Sequence, residues 1–149
     1  MPLIRDYVAE HERAIELGGD AVRAIDRGDR QAARRALAGM AAELTKHWDG
    51  EENGIFLVMQ RERAYAEYIA PLVAEHRQLA ELLETIDVAN EADQRQLRVA
   101  LVELDEHISK EEDGLFPASV TFLSGAEWDT AIAGWQAAHP GHTLDQPRA

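Results

Sequence analysis

Cysteine is absent from this 149-residue chain. Its absence excludes disulfides, zinc fingers, thiolate-bound iron–sulfur clusters and a catalytic thiol, and nothing requires an oxidising compartment. No window approaches the ~18 consecutive apolar residues of a membrane-spanning helix. The opening from Met1 to Tyr7 lacks a basic region followed by an apolar run, so no signal peptide is expected and the expected location is cytoplasmic. Basic residues are few, 15 Lys and Arg against 28 Asp and Glu, for a net charge of −13. Phosphate backbones and anionic membranes are held by clustered Lys and Arg, so neither is an expected partner. A surplus of carboxylates suits a cation, although most such groups serve as solvated surface. The apolar fraction of 46% is ordinary for a globular protein, and the length suits one domain with its own core.

The chain contains a repeat. Glu-Leu-Thr-Lys-His-Trp-Asp-Gly-Glu-Glu-Asn-Gly-Ile-Phe (43–56) aligns without a gap on Glu-Leu-Asp-Glu-His-Ile-Ser-Lys-Glu-Glu-Asp-Gly-Leu-Phe (103–116), sharing Glu, Leu, His, Glu, Glu, Gly and Phe. Ala-Glu-His-Glu-Arg-Ala-Ile-Glu-Leu (9–17) aligns on Ala-Glu-His-Arg-Gln-Leu-Ala-Glu-Leu (74–82). One helical hairpin is therefore written twice. Each copy supplies a lone histidine (His11, His76) and then His-x-x-x-Glu (His47 with Glu51, His107 with Glu111). Four helical residues advance by about 400° and about 6 Å, which stacks imidazole and carboxylate on one face.

Apolar residues at three- and four-residue steps predict four helices. Pro2 suits a first helical position; Gly18 and Gly19 weaken the first helix, which stops near Gly28. Asp29 caps the second, which runs to Glu51 or beyond with Gly54 a candidate end. Ile55 to Met59 is expected to pack on the core. The third helix contains Tyr65 to Leu83 and is bent by Pro71; Asn90 and Asp93 cap the fourth, which Gly114 and Pro117 close. The expected fold is all-α, an up-down-up-down four-helix bundle over 1–122. Residues 123–149 are expected to pack on it through a short helix, Gly125 to Ala138, with Trp128 and Trp135 docked and the ending after Pro140 loose.

His76 has Ile69, Leu72, Ala80 and Leu83 at helical spacing, and His11 has Ile4, Tyr7 and Ile15, so both belong to apolar faces. Singly, each suits a hydrogen-bonded core histidine. Four of them, one per helix, with two stacked carboxylates, suit a cation, because an unpaired buried carboxylate costs several kcal/mol. A nitrogen and oxygen donor set suits iron, manganese or zinc rather than calcium or magnesium. Six ligands exceed one tetrahedral zinc and fit two metals sharing two carboxylates.

The order His, His-x-x-x-Glu, His, His-x-x-x-Glu, ending in Glu-Glu-Asp-Gly-Leu-Phe-Pro, resembles the hemerythrin family in its bacterial HHE cation-binding branch, over roughly residues 3–122. The resemblance implies a bundle around two non-haem iron ions, carboxylate-bridged and joined by an oxo or hydroxo bridge. It makes His11, His47, His76 and His107 terminal ligands and Glu51 and Glu111 the bridges. Glu112 is the alternative to Glu111, since five residues from the histidine is also a ligand spacing in that family. Oxygen-carrying members have a further histidine one turn from the third-helix ligand, where this chain has Leu72 and Ala80. One iron is then a ligand short. It keeps an open or water-filled position or takes an oxygen from Tyr7, Glu43 or Glu103, which favours redox or sensing chemistry over reversible oxygen carriage. Glu43 and Glu103, one turn before a ligand histidine, are also candidates to orient the imidazoles. Trp48 is expected in the core or at an interface, and His139 and His142 are expected in a polar tail away from the metals.

The function expected is a di-iron protein that binds or reacts with dioxygen, peroxide or nitric oxide, with peroxide decomposition or nitric oxide reduction as candidate activities. The alternative is an iron- or oxygen-sensing module without turnover, which signals to a protein partner. Storage of the ferritin kind is disfavoured, because Glu-x-x-His pairs are absent.

Overall fold

A computed structural model of the chain describes residues 1–144, and these residues contain helices and no strand. Four long helices form the bundle: α1 (Pro2–Asp26), α2 (Arg30–Glu52), α4 (Arg63–Thr85) and α5 (Glu91–Lys110). A short apolar helix, α3 (Ile55–Met59), links α2 to α4. After α5 come one π turn (Glu111–Leu115), α6 (Phe116–Phe122) and α7 (Gly125–Ala138). No helix among the described residues is long and apolar enough to cross a membrane.

The expected caps are in place. Asp29 accepts from the Ala32 N–H at 3.0 Å, Asn90 accepts from the Asp93 N–H at 3.0 Å, and Pro2 lies in the first turn of α1. Gly28 turns the chain between α1 and α2 with φ +76°, a left-handed conformation that L side chains rarely adopt. Gly18 does not interrupt α1; a Cβ there would meet the Leu101 side chain at 2.7 Å, so the glycine admits α5. Pro71 lies inside α4, which continues past it.

The fourth helix differs from its expected end. Gly114 and Pro117 do not close it, because the chain widens by one residue into the π turn and proceeds as α6. In that turn the Phe116 N–H donates to the Glu111 carbonyl, five residues back. Pro117, which has no N–H, falls just past the widened turn, where the α-type ladder is already interrupted.

The buried apolar residues form two clusters with a polar layer between them. One contains Leu3, Tyr7, Phe56, Leu72, Leu115 and Phe116; the other contains Ala14, Leu44, Trp48, Leu79, Leu104 and Ile108. On α1 the switch falls between Tyr7 and Ala14, on α4 between Leu72 and Leu79, and on α5 between Ile108 and Leu115. His11, His76 and Glu111 occupy those gaps.

The hairpins are packed unequally. α1 and α2 meet extensively, and small residues (Ala14, Ala21, Ala24, Ala33, Ala36) let the two helices approach. α4 and α5 touch little. A groove of about 760 Å³ opens between them, bordered by Trp48, Glu75, His76, Leu79, Glu103 and His107. α7 docks on α2 and α3. Trp128 and Trp135 are both buried there, and Gly134 lies so close to Asn53 that a Cβ would meet its carbonyl oxygen at 1.9 Å. Of the ending expected to be loose, Leu144 is buried in the first cluster, and residues 145–149 lie outside the described residues.

Candidate metal centre

His11, His47, His76, His107, Glu51 and Glu111 all project into the polar layer, each at most 4% exposed. Their donor atoms form two sets, His11, His47, Glu51 and Glu111 in one and Glu51, His76, His107 and Glu111 in the other. Within each set one ligand atom per residue lies within 4.8 Å of all the others. Each hairpin supplies one imidazole from its first helix, and one imidazole with its stacked carboxylate from its second. Both carboxylates belong to both sets.

Distances show the same sharing. Glu51 Oε1 lies 3.1 Å from His47 Nε2 in its own hairpin and 3.4 Å from His76 Nε2 in the other. Glu111 lies 3.4 Å from His107 Nε2 in its own hairpin and 3.5 Å from His11 Nε2 across the bundle. Nε2 of His76 is 3.1 Å from Nε2 of His107. Glu111 lies in the layer one helical turn past His107, whereas the alternative Glu112 is 31% exposed and faces the other side of His11.

Polar satisfaction is incomplete at the centre. Both oxygens of Glu51, both of Glu111, and Nε2 of His11 are buried without a hydrogen-bond partner. Each such group costs about 1–3 kcal/mol, and more when charged. Burial, and next the charge on Glu111, push the Glu51 carboxyl well above the usual carboxylate range. Burial alone would lower the imidazoles, but the facing carboxylates outweigh it. Glu111 raises His11 and His107, and Glu51 raises His76. The centre is a cage of carboxylate oxygens and imidazole nitrogens whose protonation states are set by one another.

Around it runs a ring of outer carboxylates. Glu112 reaches His11 Nδ1 at 2.8 Å, Glu52 reaches His76 Nδ1 at 3.1 Å, and Glu75 reaches His107 Nδ1 at 2.6 Å. Glu10 approaches His47 Nδ1 at 3.6 Å. Each carboxylate comes from a neighbouring element and turns the Nε2 lone pair inward. Aromatic rings back the imidazoles. Phe116 stacks on His11 at 6.1 Å between centroids, and Trp48 and Phe56 stack on His76 at 5.0 Å and 5.7 Å.

The expected orienting residues are therefore corrected. Glu43 pairs with Arg13 at 3.0 Å, and Glu103 is exposed on α5 at the groove. A residue one turn before the ligand leans back along its own helix. A residue one step away is rotated by about 100° and faces the adjacent helix. Tyr7 is equally unsuited to supply the missing ligand. Its hydroxyl donates to the Gly50 carbonyl at 2.7 Å and accepts from the Ile55 N–H at 3.4 Å, and burial keeps the phenol well above its usual range.

The outer carboxylates had a signal in the repeat, since Glu-His and Glu-Glu recur in both copies. His139 had none. It lies buried at the end of α7 with Nε2 2.9 Å from Glu10 Oε2. Trp135 Nε1–H donates to Glu10 Oε1 at 2.9 Å.

No curated protein and no solved structure matches the chain. A family model does: that of the hemerythrin HHE cation-binding domain, over residues 3–119.

Proposed function

The chain belongs to the hemerythrin HHE cation-binding domain family, and from that premise we propose that it is a non-haem di-iron protein which binds or reacts with dioxygen, peroxide or nitric oxide. His11, His47, His76 and His107 would hold the ions as terminal ligands, and Glu51 and Glu111, which belong to both sets, would be shared between them. The observation that supports this most strongly is the convergence of partnerless oxygens from two buried carboxylates, each shared by two sets of imidazoles. A pair of divalent cations removes that deficit, whereas one ion leaves half the donors unused.

Iron bound there would supply electrons and open coordination positions for a small oxidant. The protein supplies the rest. Glu112, Glu52 and Glu75 accept the Nδ1–H of their histidines and so present Nε2 to the centre. Phe56, Phe116 and Trp48 cover the imidazole faces and exclude water from the layer. Tyr7 and Glu43 are committed to other partners and Glu103 is exposed at the groove, so coordination is left open to an exogenous ligand, which favours redox or sensing chemistry over reversible oxygen carriage.

The test is optical. Iron-loaded protein should absorb in the near ultraviolet, and the band should change on addition of azide or hydrogen peroxide. A loaded protein whose spectrum ignores both ligands would contradict an accessible di-iron site.

A further inference from the structure

The four outer contacts are not equivalent. Three carboxylates sit between 2.6 and 3.1 Å from an imidazole Nδ1, but Glu10 stands 3.6 Å from His47, and His47 Nδ1 has no hydrogen-bond partner. The counterpart of Glu10 in the repeat is Glu75, which makes the shortest of the contacts while also accepting from Lys110 at 3.2 Å. A second partner therefore does not by itself draw a carboxylate off its histidine.

What distinguishes Glu10 is which oxygen is contested. Oε2, the atom nearest His47, also faces His139 Nε2 at 2.9 Å, and Oε1 is taken by the Trp135 N–H at 2.9 Å. The His139 ring is fixed in turn. Its Nδ1 donates to the Trp135 carbonyl at 2.7 Å, and it stacks on the Trp135 indole at 4.1 Å between centroids. Both residues belong to the α7 end of the chain, beyond the matched residues 3–119. Glu10 is 2% exposed, so water does not replace either partner.

We infer that Trp135 and His139 are positioning residues which hold the Glu10 carboxylate away from His47, so that the His11–His47 half of the centre binds its metal more weakly than the His76–His107 half. A carboxylate accepting from Nδ1–H makes the opposite nitrogen a better donor, and changes in such outer partners alter metal affinity by about 10–100-fold. The C-terminal helix thereby makes two sets of the same ligands unequal. This rests on the metal reading above.

The probes are the imidazole ¹⁵N and ¹H resonances of the metal-free full chain and titration with Zn(II) alone. In His139→Phe, which keeps the stack and removes the contact to Glu10, His47 should gain the downfield Nδ1–H of a carboxylate-bound histidine. His107 should not move. One of the two Zn(II) steps should tighten about tenfold, and His139→Gln, which restores a donor, should return both signals toward wild type. Trp135→Phe frees the other oxygen and serves if the first variant does not fold. Resonances of His47 that stay put in a folded variant, or Zn(II) steps unchanged by it, would overturn the inference. Wild type that binds no metal while His47 still responds would defeat the metal reading and leave the positioning intact.

Discussion

The two hairpins agree at the centre and diverge at the rim. Inside, His47 with Glu51 mirrors His107 with Glu111, Phe56 on His76 mirrors Phe116 on His11, and Leu44 mirrors Leu104. Two tyrosines that are not counterparts in the repeat make parallel contacts. Tyr7 donates to the carbonyl of Gly50, just before Glu51, and Tyr68 donates to that of Lys110, just before Glu111, both at 2.7 Å. Outside, symmetry fails. Tyr7 is fully buried and Tyr68 is 40% exposed; Glu10 lies under α7 while Glu75 borders an open groove. Duplication fixed the donor atoms, and unrepeated segments set the dielectric around each half.

The largest effect should come from a carboxylate common to both sets. Glu51→Gln should take metal content from about two ions per chain to near none. The metal-free variant should keep its stability to within about 1 kcal/mol, since burial already holds the Glu51 carboxyl above the usual carboxylate range and an amide replaces a largely uncharged group. Calorimetry with and without chelator checks both. A variant that keeps its metal would break the equivalence of the halves.

Next come the paired tyrosines. Tyr7→Phe strands a buried carbonyl and should cost about 1–3 kcal/mol, whereas Tyr68→Phe, whose hydroxyl sits where water can replace it, should cost about 0.5 kcal/mol. Equal losses in denaturant titrations would show that both rims are equally dry.

A smaller contrast is in pH. The folded values of His11, His76 and His107 are raised, so in metal-free protein they contribute stability that is full below the unfolded value of ~6.5 and lost as pH rises through the higher folded values. Metal requires neutral imidazole, so the loaded protein should lose stability in the opposite direction, as pH falls through the same range. Glu10 and Glu75 titrate below the usual carboxylate range, on the acid side of both effects. Melting temperatures from pH ~5 to ~8, with and without metal, should have slopes of opposite sign. Parallel slopes would remove the metal from the account.

What the sequence disclosed followed from repetition and periodicity. Four long helices, the Asp29 and Asn90 caps, and the layer holding His11, His47, His76, His107, Glu51 and Glu111 were all legible, because spacing on a helix determines which face a residue takes. The π turn was not, since Gly114 and Pro117 read locally as a stop and only the packing of Leu115 and Phe116 carries the helix on. Nor was the place of His139. Its contact with Glu10 spans 129 positions and depends on how α7 docks, which no local pattern encodes.

The central claim is that two buried carboxylates shared by four imidazoles hold two metal ions. The most direct measurement is the metal-to-protein ratio, by mass spectrometry, of the full chain produced in iron-replete medium. The account predicts about two iron ions per chain, and a protein purified and reconstituted without bound metal would contradict it.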